Sequence, residues 1–388
     1  MNTQGRGHRV RAISARWKAA GWWLAVAALG LGWPAAMEAA PPAGKVRLFV
    51  VSSYNREYLW SQDTNQGVCA ALLKFGYLDT QAQADAYTAN DFVESSKAVI
   101  QKVWMDTKRK SSKPEMEVMA LEITEAIKAF KPDLIFLGDD NAANYIGNQF
   151  LDTEIPIVFW GINGWPVKYG LVDSMEQPGR NVTGVWQSTY FAESLQLLHT
   201  LAPGAKTFGV LACDSETTRA KIKQVQQLDQ EGALPLKLRE IVATNSYADF
   251  QRGALELARQ VDALLVLNHD TLKDDEGRYV EQLTAGRWYL EHVSKPEAAD
   301  QWQFVHEGLL CAADDSGFNQ GYEAVVMAEE ILDGGMKPAQ MRPRTPKRGP
   351  LIVNRQRARM LGITISDGVA EEIIEEASAL KTVTEVKP

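Results

Sequence analysis

Apolar runs of two different periods alternate along most of this chain, and that alternation restricts its fold more than any other feature. Val46–Ser52 is a short β-rich run ending in polar residues. Asp63–Phe75 places apolar residues at helical spacing and is closed by Gly76. Pro114–Phe130 reads as an amphipathic helix with proline in its first turn. Asp133–Leu137 reads as a strand, Asn141–Leu151 as a helix and Ile155–Trp160 as a strand. This βαβ punctuation predicts a parallel sheet with helices on both faces. A stretch rich in Gly, Pro and aromatics, Gly161–Gly179, breaks the rhythm. It resumes with strands at Asn181–Val185, Thr207–Ala212, Leu236–Val242 and Ala263–Leu267. Helices are expected at Phe191–Leu201, Glu216–Gln230, Tyr247–Arg259 and near Val280–Val293. Gln303–His306 reads as a weak strand, and Tyr322–Leu332 as a helix ended by Gly334 and Gly335. The expected fold class is α/β: two similar doubly wound parallel-sheet lobes.

The first 40 residues stand apart. Arg6, Arg9, Arg11, Arg16 and Lys18 precede a 15-residue apolar run, Ala19–Trp33, which Pro34 breaks. A membrane helix needs about 20 apolar residues, so this reads as an export signal peptide spanning 1–40, with an uncleaved anchor as the alternative. A periplasmic location is expected. The whole chain carries a net charge of −8 despite that basic leader, so the rest is strongly acidic and has no electrostatic drive toward nucleic acid. Cys69, Cys213 and Cys311 fit no metal knuckle or Cys-x-x-Cys pair and read as buried free thiols, with one disulfide as the alternative.

In open α/β sheets ligands bind beyond the carboxyl ends of the strands. Ser52, Ser53, Tyr54, Asn55 and Arg56 follow the first strand, with Tyr58 and Trp60 close behind. Gly138, Asp139, Asp140 and Asn141 follow another, and Trp160 to Gly164 a third. Cys213 to Glu216, Asn268 to Asp270, and Ala313 to Asp315 complete the set. Hydroxyl, amide, aromatic and carboxylate groups of this kind suit a small molecule with polar and apolar parts. Each also has a plainer reading. Ser52, Ser53, Asp214 and Ser215 can cap helices. Asp139 and Asp140 can cap a helix or hold a metal. Trp160 and Trp165 can pack, and His269 can bond within its loop or act as a base. No Gly-x-Ser-x-Gly, His-Glu-x-x-His, Walker or dinucleotide fingerprint is present in the sequence. Their absence removes the usual positive evidence for catalysis without excluding it; the expectation is a binding protein rather than an enzyme, with no cofactor and no metal. A two-lobe α/β transferase or racemase is the rival from another class.

Several segments together resemble the periplasmic substrate-binding proteins of ABC transporters, in the type I fold group that includes tryptophan-uptake-type binders. They are Pro132 to Asp139 (PDLIFLGD), Ile155 to Gly161 (IPIVFWG) and Pro178 to Val185 (PGRNVTGV). Gly321, Ala324, Ala328, Ile331 to Gly334, Val353-Asn354 and Leu361 to Ile363 continue the match. The opening Ser53 to Trp60 (SYNREYLW) looks instead like that of extracellular sensor domains. The resemblance implies that ligand is held between two lobes that close about a hinge. It puts Ser53, Tyr54, Trp60, Asp139 and Asn141 on the first lobe's side. Trp160, Asn163, Asp214, Asn268 and Asp314 would serve the hinge and the second lobe. Lobe 1 is expected to comprise residues 45–160 plus 309–338, and lobe 2 residues 161–308 plus 345–365, with 366–388 a peripheral tail. Crossings are expected at Gly161–Asn163, Leu309–Ala313 and Lys337–Arg348. The implied function is delivery of a small organic solute to an ABC permease of the inner membrane. A sensor protein is the alternative partner. The chain is expected to be monomeric.

Overall fold

Two sheets organise residues 44–381, which the computed structural model of the chain describes. The first is built from β1 (Val46–Ser52), β2 (Phe92–Glu94), β3 (Ala98–Trp104), β4 (Leu134–Gly138), β5 (Ile157–Ile162) and β6 (Val182–Trp186). They lie in the order β2-β3-β1-β4-β5-β6, all parallel except the β2–β3 pair. The second holds β7 (Thr207–Ala212), β8 (Lys237–Ala243), β9 (Ala263–Val266), β10 (Glu297–Ala299), β11 (Cys311–Ala313), β12 (Leu351–Asn354) and β13 (Glu372–Ile374). Its order is β13-β12-β11-β10-β9-β7-β8, with β11–β12 antiparallel. Central strands read as continuous apolar runs because helices cover both faces. Val51 on β1 lies between Val103 and Leu137 and is fully buried.

The first lobe contains α1 (Leu59–Lys74), α2 (Gln81–Ala89), α3 (Lys113–Phe130) and α4 (Asp139–Tyr145). Around the second sheet lie α5 (Phe191–Leu201), α6 (Glu216–Gln230), α7 (Tyr247–Gln260), α8 (Gln282–His292) and α9 (Trp302–Glu307). The next helix, α10 (Gly317–Leu332), returns to the first lobe, and α11 (Arg355–Met360) belongs to the second. Each sheet has one core on either face. No helix among the described residues is long and apolar enough to cross a membrane.

The sheet memberships correct several expectations. β6 pairs with β5, so the chain leaves the first sheet at residues 187–190 and not at 161–163. The break at 161–179 is a loop returning to the same sheet. β11 pairs with β10, so the return crossing lies at 314–316, beyond the expected Leu309–Ala313. Arg344 still runs beside β6, and the last crossing follows it. The three crossings touch: Tyr190 donates to the Pro346 carbonyl at 3.1 Å, and Gly349 N to the Asp314 carbonyl at 2.8 Å. Residues 303–306 are helical, not a strand; a four-residue segment is too short for period to decide. The C-terminal segment is not merely peripheral, because β13 extends the second sheet. Residues 1–40, read as a signal peptide, lie outside the described residues. Cys69, Cys213 and Cys311 are all buried free thiols.

Candidate functional site

The carboxyl ends of both sheets meet between the lobes, and the loops following their strands bury one another there. From the first lobe come Tyr54, Tyr58 and Trp60, which form a separate buried aromatic cluster. The Tyr54 and Tyr58 rings meet edge to face, with centroids 5.2 Å apart. The second lobe meets them with polar groups. Tyr58 donates to Asp270, and the Tyr54 hydroxyl lies 3.4 Å from Thr217 Oγ1. Trp60 N and Gln303 Oε1 are 3.1 Å apart, and Gln303 Nε2 donates to Tyr58 at 3.0 Å.

Charge is concentrated at the same place. Lys108 from the loop after β3 forms a buried ion pair with Asp270 at 3.0 Å, and its ammonium sits 4.1 Å from the Tyr54 ring centroid. Burial alone would raise the Asp270 pKa, but Lys108, Asn268 and Tyr58 outweigh it and hold the carboxyl down at about 2. Lys221 of α6 lies 2.6 Å from Asp300 and donates to Asn268 Oδ1 at 2.9 Å. Asp139 starts α4 with φ of 68°, the left-handed region that few non-glycine residues enter and that aspartate tolerates better than most. Its one hydrogen-bond donor is Trp60 Nε1, at 2.6 Å. Burial, reinforced by Asp140, pushes its carboxyl up to about 8 against that bond. Burial likewise pushes Asp315 to about 8, opposed by Gln187 and Lys221.

Of the residues singled out from sequence, Tyr54, Trp60, Asp139 and Asn268 join this interlobe cluster. Ser53 fastens the end of β1 to β4 and α4, donating to the Gly138 carbonyl at 2.6 Å and accepting from Ala142 N at 2.8 Å. Asn141 donates to Thr107 at 2.8 Å and leaves its buried Oδ1 unpartnered. Asn163 holds Asp140 through its backbone N–H at 3.0 Å and its amide at 3.2 Å, and its carbonyl accepts from Gln224 of α6 at 3.3 Å. Three placements correct the expectation. Trp160 lies in the first lobe's core beside Phe136, because along β5 it shares a face with Val158, under α1 and α10. Asp214 pairs with Arg219 at 2.6 Å on the surface, with its side chain half exposed. Asp314 is buried but accepts from Trp302 N at 2.6 Å and so serves the start of α9.

Asp139 and Asp140 take different hydrogen-bond partners, and no group of three or more His, Cys, Asp or Glu among the described residues is arranged to hold a metal. Asp140 accepts from Asn163, from Gly164 N at 2.8 Å, from Tyr169 at 3.0 Å and from Thr217 at 3.2 Å. His269 is buried and spent on a bond to Glu307 at 2.7 Å. Tyr58, Asp270 and Asp315 stood in the strand-end runs, so their position was a usable signal. Lys108, Gln187, Lys221, Asp300 and Gln303 carried none, since only the docking of distant elements brings them here. A cavity of about 1600 Å³ opens beside the cluster between the lobes. Trp165, Tyr169 and Trp186 line one side and Arg219, Lys223 and Gln224 the other, and it reaches the cluster's rim at Asn163 and Glu216.

Residues 96–377 match the family described as "ABC transporter substrate binding protein". The chain belongs to this family. Its α/β architecture is shared with solved structures. Over 85% of its length the substrate-binding chain superposes on all of the L-Trp-bound ABC domain from Streptococcus pneumonia, with a TM-score of 0.64 at 18% identity. It superposes equally on a conserved domain protein from Vibrio cholerae, with a TM-score of 0.65 at 19% identity. A protein named "Tyrosine-binding protein" from Clostridioides difficile is 27% identical over 207 residues. That alignment spans 53% of this chain and 56% of the relative, just over half of each.

Proposed function

We propose that the exported chain captures a small organic solute with an aromatic or apolar portion between its lobes and delivers it to an ABC permease. One observation carries the reading: three aromatic rings of the first lobe are buried against hydrogen-bonding groups of the second. A ring laid against such faces gains burial plus roughly 0.5–1.5 kcal/mol from aromatic geometry. The polar groups set orientation, because a solute lacking the matching group leaves them desolvated and unpaired. Contacts to both lobes favour the closed state, and closure is the signal that a permease reads. Tyrosine binding by the partly aligned relative supports an aromatic solute. Native mass spectrometry of the purified protein identifies what co-purifies with it. Tyr54→Ala is expected to weaken binding of that compound at least tenfold with a modest loss in Tm. Trp160→Ala is expected to do the reverse, lowering stability by about 3–5 kcal/mol as a core truncation. Full affinity retained by Tyr54→Ala would overturn the site.

A further inference from the structure

Resting on that reading, the interlobe cluster also specifies the charge of its solute. Its two lysines are committed, Lys108 to Asp270 and Lys221 to Asp300 and Asn268. Asp140 is saturated by neutral donors. Asp139 and Asp315 are left without a cation. Asp315 Oδ1 accepts only from Gln320, at 3.3 Å, and its Oδ2 has no partner. Gly161 and Gln320 join the two carboxyls. A side chain on Gly161 would meet Asp139 Oδ1 at 2.6 Å, and Gly161 N donates to Gln320 Oε1 at 3.2 Å. An independent feature points to a ligand. Gln187, on the first crossing, is fully buried with its amide against Asp315, and its Oε1 has no hydrogen-bond partner. Buried polar side chains are normally bonded, and this one faces the unspent carboxyl.

We infer that the solute is a cationic amine without a carboxylate of its own, its ammonium taken by Asp139 and Asp315 and its ring by Tyr54 and Trp60. An ammonium supplies the donors and the charge that both carboxyls lack. A carboxylate on the solute would need an uncommitted cation, and none stands among the described residues of the cluster. It would also face Asp300. A divalent metal does not suit the site, since no group of three or more His, Cys, Asp or Glu among the described residues is arranged to hold one. Neutral carboxyls in the free protein give the binding a proton signature. Asp139 is faced by Asp140, Lys108 and Lys221, and Asp315 by Asp300, Asp314 and Lys221. With both held up near 8, they are largely protonated at pH 7, and an arriving ammonium expels those protons.

Isothermal titration of the dialysed protein with tryptamine, tyramine, L-tryptophan, L-tyrosine and indole-3-acetate tests this. Each amine is expected to bind at least tenfold more tightly than the amino acid with the same ring. Indole-3-acetate is expected not to bind. Repeating the tryptamine titration at pH 7 in buffers of different ionisation enthalpy should show net proton release. Asp139→Asn and Asp315→Asn should each weaken tryptamine at least tenfold and reduce the proton release, while the Tm of the free protein holds or rises. A merely structural carboxyl would instead lower the Tm and leave proton release intact. An amino acid binding as tightly as its amine overturns the charge assignment and leaves aromatic capture standing. Failure of every ring-bearing probe, whatever its charge, overturns both.

Discussion

His269 shows how one side chain can be claimed by its surroundings. It follows a strand at a position suited to ligand contact, yet its ring is spent inside the second lobe. Its Nδ1 lies 3.0 Å from the Leu267 carbonyl and its Nε2 2.7 Å from Glu307. Burial alone would lower its pKa, but the Glu307 carboxylate, its hydrogen bond and that carbonyl together raise it to about 9. A folded value above the ordinary 6.5 means stability that is full below pH 6.5 and lost as pH rises through 9, on the order of 3 kcal/mol. Asp139 and Asp315 slope the same way at lower pH: protonated when folded, they lose stability between their ordinary 3.8 and about 8. Denaturant midpoints taken from pH 6.5 to 9 should therefore fall. Glu307→Gln should lower stability by about 3–5 kcal/mol near pH 6.5 and flatten the part of the slope between 8 and 9. A wild-type stability that is constant across that window would contradict the pairing.

Helix α10 is built to lie against α1 at unusually close range. The two helices lie far apart in the chain but share the first lobe's core, and glycines make the approach possible. A Cβ on Gly67 would stand 2.0 Å from the Phe318 carbonyl oxygen, and one on Gly321 would stand 2.2 Å from that of Thr64. Both neighbours are backbone, so neither can yield by a rotamer change. Gly321→Ala is expected to force the helices apart and destabilise the protein by about 1–3 kcal/mol. Because Gly317, in the first turn of α10, sits against Asp63 and Trp60, separation also disturbs the aromatic cluster. Hydrogen exchange should report faster opening in α1 and α10 while β7 and β9 stay protected. Equal loss of protection in both lobes would show that the contact is not local.

At the scale of the whole molecule the two lobes are joined by buried polar contacts, and the Lys108–Asp270 ion pair is one of them. It joins the lobes where both partners are buried, and Tyr58 and Asn268 bond the same carboxylate. Opening the lobes returns these groups to water, so the pair weighs directly on the open–closed balance. Asp270→Asn leaves the Lys108 ammonium facing a neutral amide in the closed state, which costs about 2–5 kcal/mol. Small-angle scattering of the unliganded variant should show a larger radius of gyration than wild type. Unchanged scattering, with unchanged affinity for the co-purifying solute, would remove the pair from the closure mechanism.

The sequence by itself determined the class of fold and many of its elements, though not β3 inside the first sheet or the helix at 303–306. Phe191–Leu201, Thr207–Ala212 and Glu216–Gln230 are read from it with the bounds the structure shows, because hydrophobic period is a local property. It also singled out Tyr54, Trp60, Asp139 and Asn268, which the fold brings into the interlobe cluster, since position after a strand is local too. It could not tell which face of β5 carries Trp160, nor that β6 returns to the first sheet, because both depend on which strand lies alongside. Least legible were Lys108, Lys221, Gln187 and Asp300. Each sits in an ordinary polar stretch, and only the approach of two lobes strips their water and turns them into a charged, buried site. Desolvation is a property of the assembled molecule, so the chemistry that depends on it was decided by tertiary structure alone.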